Sequence, residues 1–399
     1  MTGLLDGLRV AELATGIAGP YAGLLLAEAG ADVVKVETPE GDPARSWGPS
    51  DEPPWAFAAL NRNKRAMAVD YRQEAGRRLV LDVLRTVDVV LVDAAGEAEA
   101  VLPYQTVARE VPTVIYCRFS GYGDRGPWAD RPFDELPAQL LSDATASLGS
   151  VGEPPIRLGT DVASMYAAIY AAQAIGAALV ARDRTGRGQQ IDVSLWGSLL
   201  SMRSTLWVAL SNPDEWWGFH LDNYVKPPFR GYRCRDGYIH FQFRRTEDVD
   251  WDALLTALDM QWVRTDPRAE LLLTDRAGGT GRYSHVVQDL WDRGLERFTR
   301  EEATAILKAH GAVVFPVNTY EELLAHPVTE ALGIVAPVEE AGDGPERAVT
   351  APWRGDATPA RPPRRAPRLG EHTAAVLAQL GWTPEQVDEA TRAGLVVTG

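Results

Sequence analysis

Asp161 and Ser164 stand three residues apart in GTDVAS (159–164), where a Gly-Thr-Asp entrance opens onto an Ala-rich apolar run. A carboxylate there can be a nucleophile toward an activated carbonyl. It can equally be a helix cap, accepting hydrogen bonds from the free N–H groups of the first turn, which is worth about 1 kcal/mol. Or it can mark a place from which a nucleophile has been lost. A second acidic residue, Asp134 in RPFDE, stands in the preceding polar stretch. Two further motifs bear on ligand binding. GIAGPYAG (16–23) lies between an expected strand and an expected helix, where backbone N–H groups could receive a phosphate. It lacks the G-x-G-x-x-G spacing, and a tight turn accounts for its glycines equally well. NRNKR (61–65) and RPPRRAPR (361–368) concentrate basic residues that can hold a small polyphosphate or simply face solvent.

Other chemistry is excluded by what surrounds these motifs. The six histidines, His220, His240, His285, His310, His326 and His372, lie outside them, so no Ser/His/Asp order, no HExxH site and no metal centre can be drawn. Cys117 and Cys234 form no CxxC and no disulfide framework, which fits a reducing cytoplasm. With 55 acidic against 40 basic residues and a net charge of −15, a nucleic-acid partner is not expected. The N-terminus carries no signal-peptide pattern and no apolar run reaches about 18 residues, so neither secretion nor a membrane span is expected.

The elements that must position these residues follow an α/β rhythm. Strands are expected at 8–13, 31–37, 87–93 and 113–119, with helices at 20–30, 74–86 and 97–109 between them. Short β-branched strands alternating with helices argue a parallel sheet covered on both faces. Helices at about 134–147 and 162–182 and a strand at 189–195 follow. At 399 residues the chain is long for one core. The aperiodic stretch 211–228 reads as a linker after a first part at 1–210. FRGYRCRDGYIHFQF (229–243), two strands around Asp236-Gly237, opens a smaller domain at 229–330. That domain carries helices near 247–258, 284–295 and 299–310 and a strand at 312–318. Residues 331–399 return to the first part and end in a helical segment at 371–393.

Taken together, LDGLRVAELATGIAGPYAGLLLAEAGADVVKVE (5–37), NRNKRAMAVD, SGYGDRGPWADRP (120–132), PPIRLG, RTGRGQQIDVSL, VFPVNTYEELLAHP and APRLGEHTAAVLAQLG run in an order that resembles the class III CoA-transferases. These are the group of formyl-CoA transferase, carnitine CoA-transferases and α-methylacyl-CoA racemase. The resemblance implies a large Rossmann-like domain formed by both chain ends, a smaller α+β domain, and an interlocked, ring-like homodimer. It implies coenzyme A as substrate and acyl carrier, moved between carboxylic acids. The family's nucleophile is an Asp in a V-A-D step, which here is Val162-Ala163-Ser164. Ser164 thus stands in the nucleophile's place, with Asp161 expected at the helix entrance. Asp134 aligns where the racemases carry a His and formyl-CoA transferase a Glu.

The same resemblance assigns CoA contacts to Ala18, Val69, Asp70, Tyr71, Arg72, Asp93, Ala94 and Arg131. The family's E-N-F-x-P-G turn against the adenosine is here VDAAGE (92–97), and Val101 replaces the Arg beyond it. Three expectations remain open. The chain transfers CoA through Asp161 or Asp134. It is a non-catalytic subunit of a heteromer with an Asp-bearing paralogue. Or it runs a different reaction with Ser164 and Asp134.

Overall fold

The computed structural model describes residues 3–49, 54–131, 134–142, 144–145, 154, 156–202, 231–243, 248–274, 284–342 and 344–399. The expected linker at 211–228 lies outside the described residues. Residues 1–142, 159–201 and 326–399 form one compact unit, and residues 143–158 and 202–325 a second.

The first unit is built on a seven-stranded sheet in the order β12-β3-β2-β1-β4-β5-β6. Its strands are β1 (Arg9–Glu12), β2 (Asp32–Glu37), β3 (Arg65–Val69), β4 (Val89–Asp93), β5 (Ile115–Ser120), β6 (Gln189–Ser194) and β12 (Val396–Val397). Six run parallel, with Val10 opposite both Val33 and Val89. Val33, Val34, Val36, Val89, Val90, Val92 and Ile115 are all buried. These near-continuous β-branched runs can be buried because helices cover both faces of a parallel sheet. The last strand, β12, pairs antiparallel with β3, Val396 facing Val69, so both ends of the chain enter one sheet.

The connecting helices are α1 (Ala18–Glu28), α2 (Trp55–Asn61), α3 (Glu74–Leu84), α4 (Glu97–Val101), α5 (Tyr104–Glu110), α6 (Glu135–Leu141), α7 (Val162–Thr185) and α8 (Leu195–Met202). The single helix expected at 97–109 is two, because Pro103 supplies no N–H to continue the first and becomes the N-cap of the second. The segment 371–393 likewise divides into Thr373–Gln379 and Pro384–Arg392. Gly381 turns the chain with φ +85° and Thr383 restarts the second helix with a capping box. Helix α7 ends on Gly186 in the left-handed conformation. By length and composition it is apolar enough to cross a membrane. It instead lies against α1, α6, β5 and β6.

The second unit contains an antiparallel sheet of β7 (Tyr232–Cys234), β8 (Gly237–Phe243) and β9 (Ala312–Pro316), with the expected turn at Asp236-Gly237. Its core gathers Tyr232, Phe241 and Trp291, the last two edge to face at 4.9 Å. A short pair, β10 (Val335–Pro337) with β11 (Arg347–Val349), belongs to the first unit.

Candidate active site

At the start of α7 the side chain that answers the helix comes from α6. Glu135 Oε1 accepts the Ala163 N–H and Oε2 accepts the Ser164 N–H, both at 2.9 Å. The Ser164 hydroxyl donates to Glu135 Oε2 at 2.7 Å. Gln139 Nε2, one turn along α6, donates to Glu135 Oε1 at 2.9 Å and to the Thr160 carbonyl at 3.2 Å. Glu135 is 7% exposed and Ser164 3%. The carboxylate therefore sits on the positive end of a 24-residue helix, held by two backbone donors, a hydroxyl and an amide. None of these four donors is a cation.

This arrangement corrects the expected cap at Asp161 and adds a neighbour to Asp134. Asp161 occupies the N-cap position of α7, as expected, but its side chain makes no capping hydrogen bond, and Glu135 caps the helix in its stead. Asp134 is the exposed N-cap residue of α6, and the structure brings its neighbour Glu135 to Ser164. Asp134 is extended, with φ −145° and ψ 148°, whereas Glu135 is the first helical residue. The signal that could have found Glu135 is its i,i+4 spacing from Gln139, two polar residues on one face of an otherwise apolar helix.

The glycines of GIAGPYAG serve packing. A Cβ on Gly19 would lie 2.1 Å from the Ala14 Cβ, and one on Gly23 would lie 1.8 Å from Glu12 Oε2. Beneath that second contact is a buried ionic cluster. Lys35 Nζ lies 3.0 Å from Glu12 Oε1 and 2.7 Å from Asp42 Oδ2, and Lys64 Nζ lies 2.8 Å from Glu12 Oε2. Lys64 also donates to the Pro20 carbonyl and to Asn61 Oδ1. Burial pulls the Lys64 ammonium down to about 8 against the pull of Glu12. Burial opposes the charge of Lys35 too, yet Glu12, Asp42 and Glu37 together hold it above the usual lysine range.

A crevice of about 300 Å³ opens at the carboxyl ends of β1, β2 and β4, lined by Thr15, Lys35, Glu37, Thr38, Asp42, Tyr71, Asp93 and Glu97 among others. The sheet order reverses direction at β1 and β4, which is where open α/β sheets bind ligands. Of the residues given CoA contacts by resemblance, Tyr71 and Asp93 line this crevice. Asp93 is pushed up to about 6 by burial, against hydrogen bonds from Thr15 and the charge of Lys35. Tyr71 is pushed up to about 12, mainly by burial. Asp70 and Arg72 pair at 2.7 Å. Ala18 and Val69 are buried, and the Ala94 N–H is taken by the Phe119 carbonyl. Arg131 lies over the Trp128 ring at 4.4 Å. A larger cavity of about 580 Å³, under α2 and β11, is lined by none of these positions.

Residues 5–373 match the model of CoA-transferase family III. The chain is similar to the succinate–glutarate CoA-transferase of Agrobacterium fabrum, at 31% identity covering 94% of this chain and 95% of that protein. It is also similar to the human succinyl-CoA:glutarate CoA-transferase, at 27% identity over 98% of this chain and 90% of that one. Among solved structures, a CAIB/BAIF family protein from Brucella suis superposes with a TM-score of 0.82 at 29% identity, covering 95% of this chain and all of that one.

Proposed function

The chain belongs to CoA-transferase family III, and from that premise we propose that it moves CoA from a dicarboxylic acyl-CoA to a second carboxylic acid, with Glu135 as the carboxylate that carries the acyl and CoA groups. Membership and the named relatives support the transfer itself, and succinyl-CoA is the donor their names favour. The observation that carries the assignment to Glu135 is its hydrogen bond to Ser164, the residue that the sequence resemblance puts in the place of the family's nucleophile.

Energetics favour a carboxylate over the serine. An acyl-serine ester would lose the activation stored in the thioester and could not return it to a free acid. A mixed anhydride keeps that activation. In the proposed sequence a Glu135 oxygen attacks the thioester carbonyl, the C–S bond breaks, and CoA leaves as thiolate. The thiolate then attacks the Glu135 acyl carbon of the anhydride and expels the donor acid, leaving a glutamyl-CoA thioester. The acceptor carboxylate repeats these steps in reverse order, taking CoA and restoring Glu135. Glu135 leaves as a carboxylate once in this cycle, when the thiolate takes the acceptor acyl group from the second anhydride, and the α7 N-terminus with the Ser164 hydroxyl stabilises the departing anion.

The chain is further proposed to act in the cytoplasm as an interlocked homodimer. The exposed Ile169 and Val180 on α7 and the edge position of β6 support a covering partner. A folded monomer at low micromolar concentration in analytical ultracentrifugation would refute the dimer. The transfer reading is tested by following CoA exchange from succinyl-CoA to a panel of mono- and dicarboxylic acids by mass spectrometry. Turnover with at least one dicarboxylic acceptor is expected, and hydrolysis alone, or no reaction, would overturn it.

A further inference from the structure

The cavity of about 580 Å³ under α2 and β11 takes no part in the proposed transfer, and its lining carries one sign of charge. Arg45, Arg62, Arg347, Arg365 and Arg368 line it, and among the described residues no carboxylate does, in a chain whose net charge is −15. Every lining residue belongs to the first unit.

Three of these arginines build the walls. Arg45 holds both oxygens of Glu37 at 2.7 Å, reaches the Pro367 carbonyl at 3.2 Å and lies 3.7 Å from the centre of the Phe57 ring. Arg62 donates to the Ala59 carbonyl at 2.6 Å, to Glu28 Oε1 at 2.5 Å and to the Val349 carbonyl at 2.7 Å, which ties α2 to β11. Arg365 pairs with Glu371 through bonds of 2.8 and 2.6 Å. Each of the three is thus answered by its own carboxylate. Arg347 and Arg368 are not. Both are exposed, and among the described residues neither side chain has a hydrogen-bond or ion-pair partner.

The walls between these guanidinium groups are apolar and partly flat, made by Trp55, Phe57, Pro345, Ala348, Val349 and Pro367. Trp55 is 43% exposed and Val349 57%, so this apolar surface stands open to solvent. Apolar walls, a few placed charges and a volume of this size are the ordinary make-up of a small-molecule site. Guanidinium groups recognise carboxylate and phosphate oxygens through paired, charge-assisted hydrogen bonds.

We propose that this cavity binds a small organic dianion with a flat apolar body, an aryl phosphate or an aryl dicarboxylate, whose charge is met by Arg347 and Arg368. The site shares no residue with the entrance of α7 or with the crevice at β1, β2 and β4. The inference therefore goes beyond the transfer reading and stands whether or not Glu135 is the carrier.

The test is calorimetric titration of the full chain with 1-naphthyl phosphate, with naphthalene-2,6-dicarboxylate and with the uncharged 2-naphthalenemethanol. At about pH 8 the phosphate monoester is a dianion. The titrations are repeated with saturating CoA present, and on Arg347→Gln, Arg368→Gln and Val349→Asp, three exposed positions whose substitution leaves the buried core untouched. At least one dianion is expected to bind about tenfold or more tightly than the alcohol, and each arginine variant to weaken it about fivefold to tenfold. The alcohol should bind the arginine variants as it binds the wild type, and Val349→Asp, which sets a negative charge in the wall, should weaken both dianions. Tighter binding of the phosphate supports two guanidinium groups converging on one anionic centre, and tighter binding of the dicarboxylate supports two separate ones. Dianions that bind no better than the alcohol, or not at all at millimolar concentration, would overturn the inference. So would affinities that none of the three variants changes, or displacement of the dianion by CoA, which would move the ligand to the carrier's own site. Failure of CoA itself to bind bears on the transfer reading alone.

Discussion

Glu12 and Glu135 are both buried carboxylates at the heart of the first unit, and they are neutralised in opposite ways. Glu12, 0% exposed, is answered by two ammonium groups, Lys35 and Lys64. Glu135 is answered by two amide N–H groups, a hydroxyl and a carboxamide. A carboxylate between two buried cations cannot change partners without stranding full charges. One held by neutral dipoles can become an ester or anhydride and leave behind only N–H and O–H groups, which can then face an oxyanion. The first arrangement fixes a fold, and the second leaves room for chemistry.

The comparison breaks most sharply if Glu12 proves dispensable. Glu12→Gln takes the Glu12 carboxylate charge from both buried ammonium groups, leaving Lys35 ion-paired to Asp42 and Lys64 bonded to the neutral Asn61 and Pro20 oxygens, and is expected to cost about 3–5 kcal/mol in urea denaturation. Glu135→Gln should show the reverse profile. It should lower CoA transfer by about a thousandfold or more, while costing only about 1 kcal/mol of stability, since the amide oxygen can still accept one helix N–H. A variant of Glu135 that unfolds while Glu12→Gln stays folded would invert the account.

Ser164→Ala removes one hydrogen bond to a buried carboxylate and should cost about 1–2 kcal/mol together with a measurable fall in transfer rate. Asp161→Ala should cost less, because it removes no cap from α7. Parallel denaturation and rate measurements on the two variants give the order, and a larger stability loss at Asp161 would return the capping role to it.

A pH-dependent effect concerns Asp93, held near 6 in the folded protein against an ordinary 3.8. An acid that keeps its proton more tightly when folded favours folding where it is protonated. That contribution is complete below about pH 3.8 and is lost as pH rises through about 6. The melting temperature of the wild type relative to Asp93→Asn should therefore decline between pH 4 and pH 7. A flat or rising difference would show that burial does not dominate at Asp93.

Much of this architecture was legible because local signals agreed with one another. β-Branched runs such as ADVVKVE, stopped by Gly30 before and followed by a Pro-Gly turn region, could only be strands of a covered sheet. The hairpin at Asp236-Gly237 was marked by its own turn chemistry. What escaped were features that depend on distant parts of the chain. Asp161 has the sequence signature of a cap, yet a residue 26 positions earlier takes that role, and nothing local to GTDVAS announces it. The loop amides at the entrance of GIAGPYAG look available to a phosphate until the fold brings Asp93 to Thr15 and Asp42 to Gly16. Pro103 was a readable helix break that an otherwise continuous apolar pattern overrode.

The most direct test of Glu135 as the carrier is covalent trapping. The protein would be incubated with succinyl-CoA, treated with hydroxylamine, digested and mapped by mass spectrometry. A hydroxamate at Glu135 that appears only with the acyl-CoA and is absent from Glu135→Gln is the expected result. A hydroxamate at Asp161 or Asp134, or transfer that persists undiminished in Glu135→Gln, would contradict it.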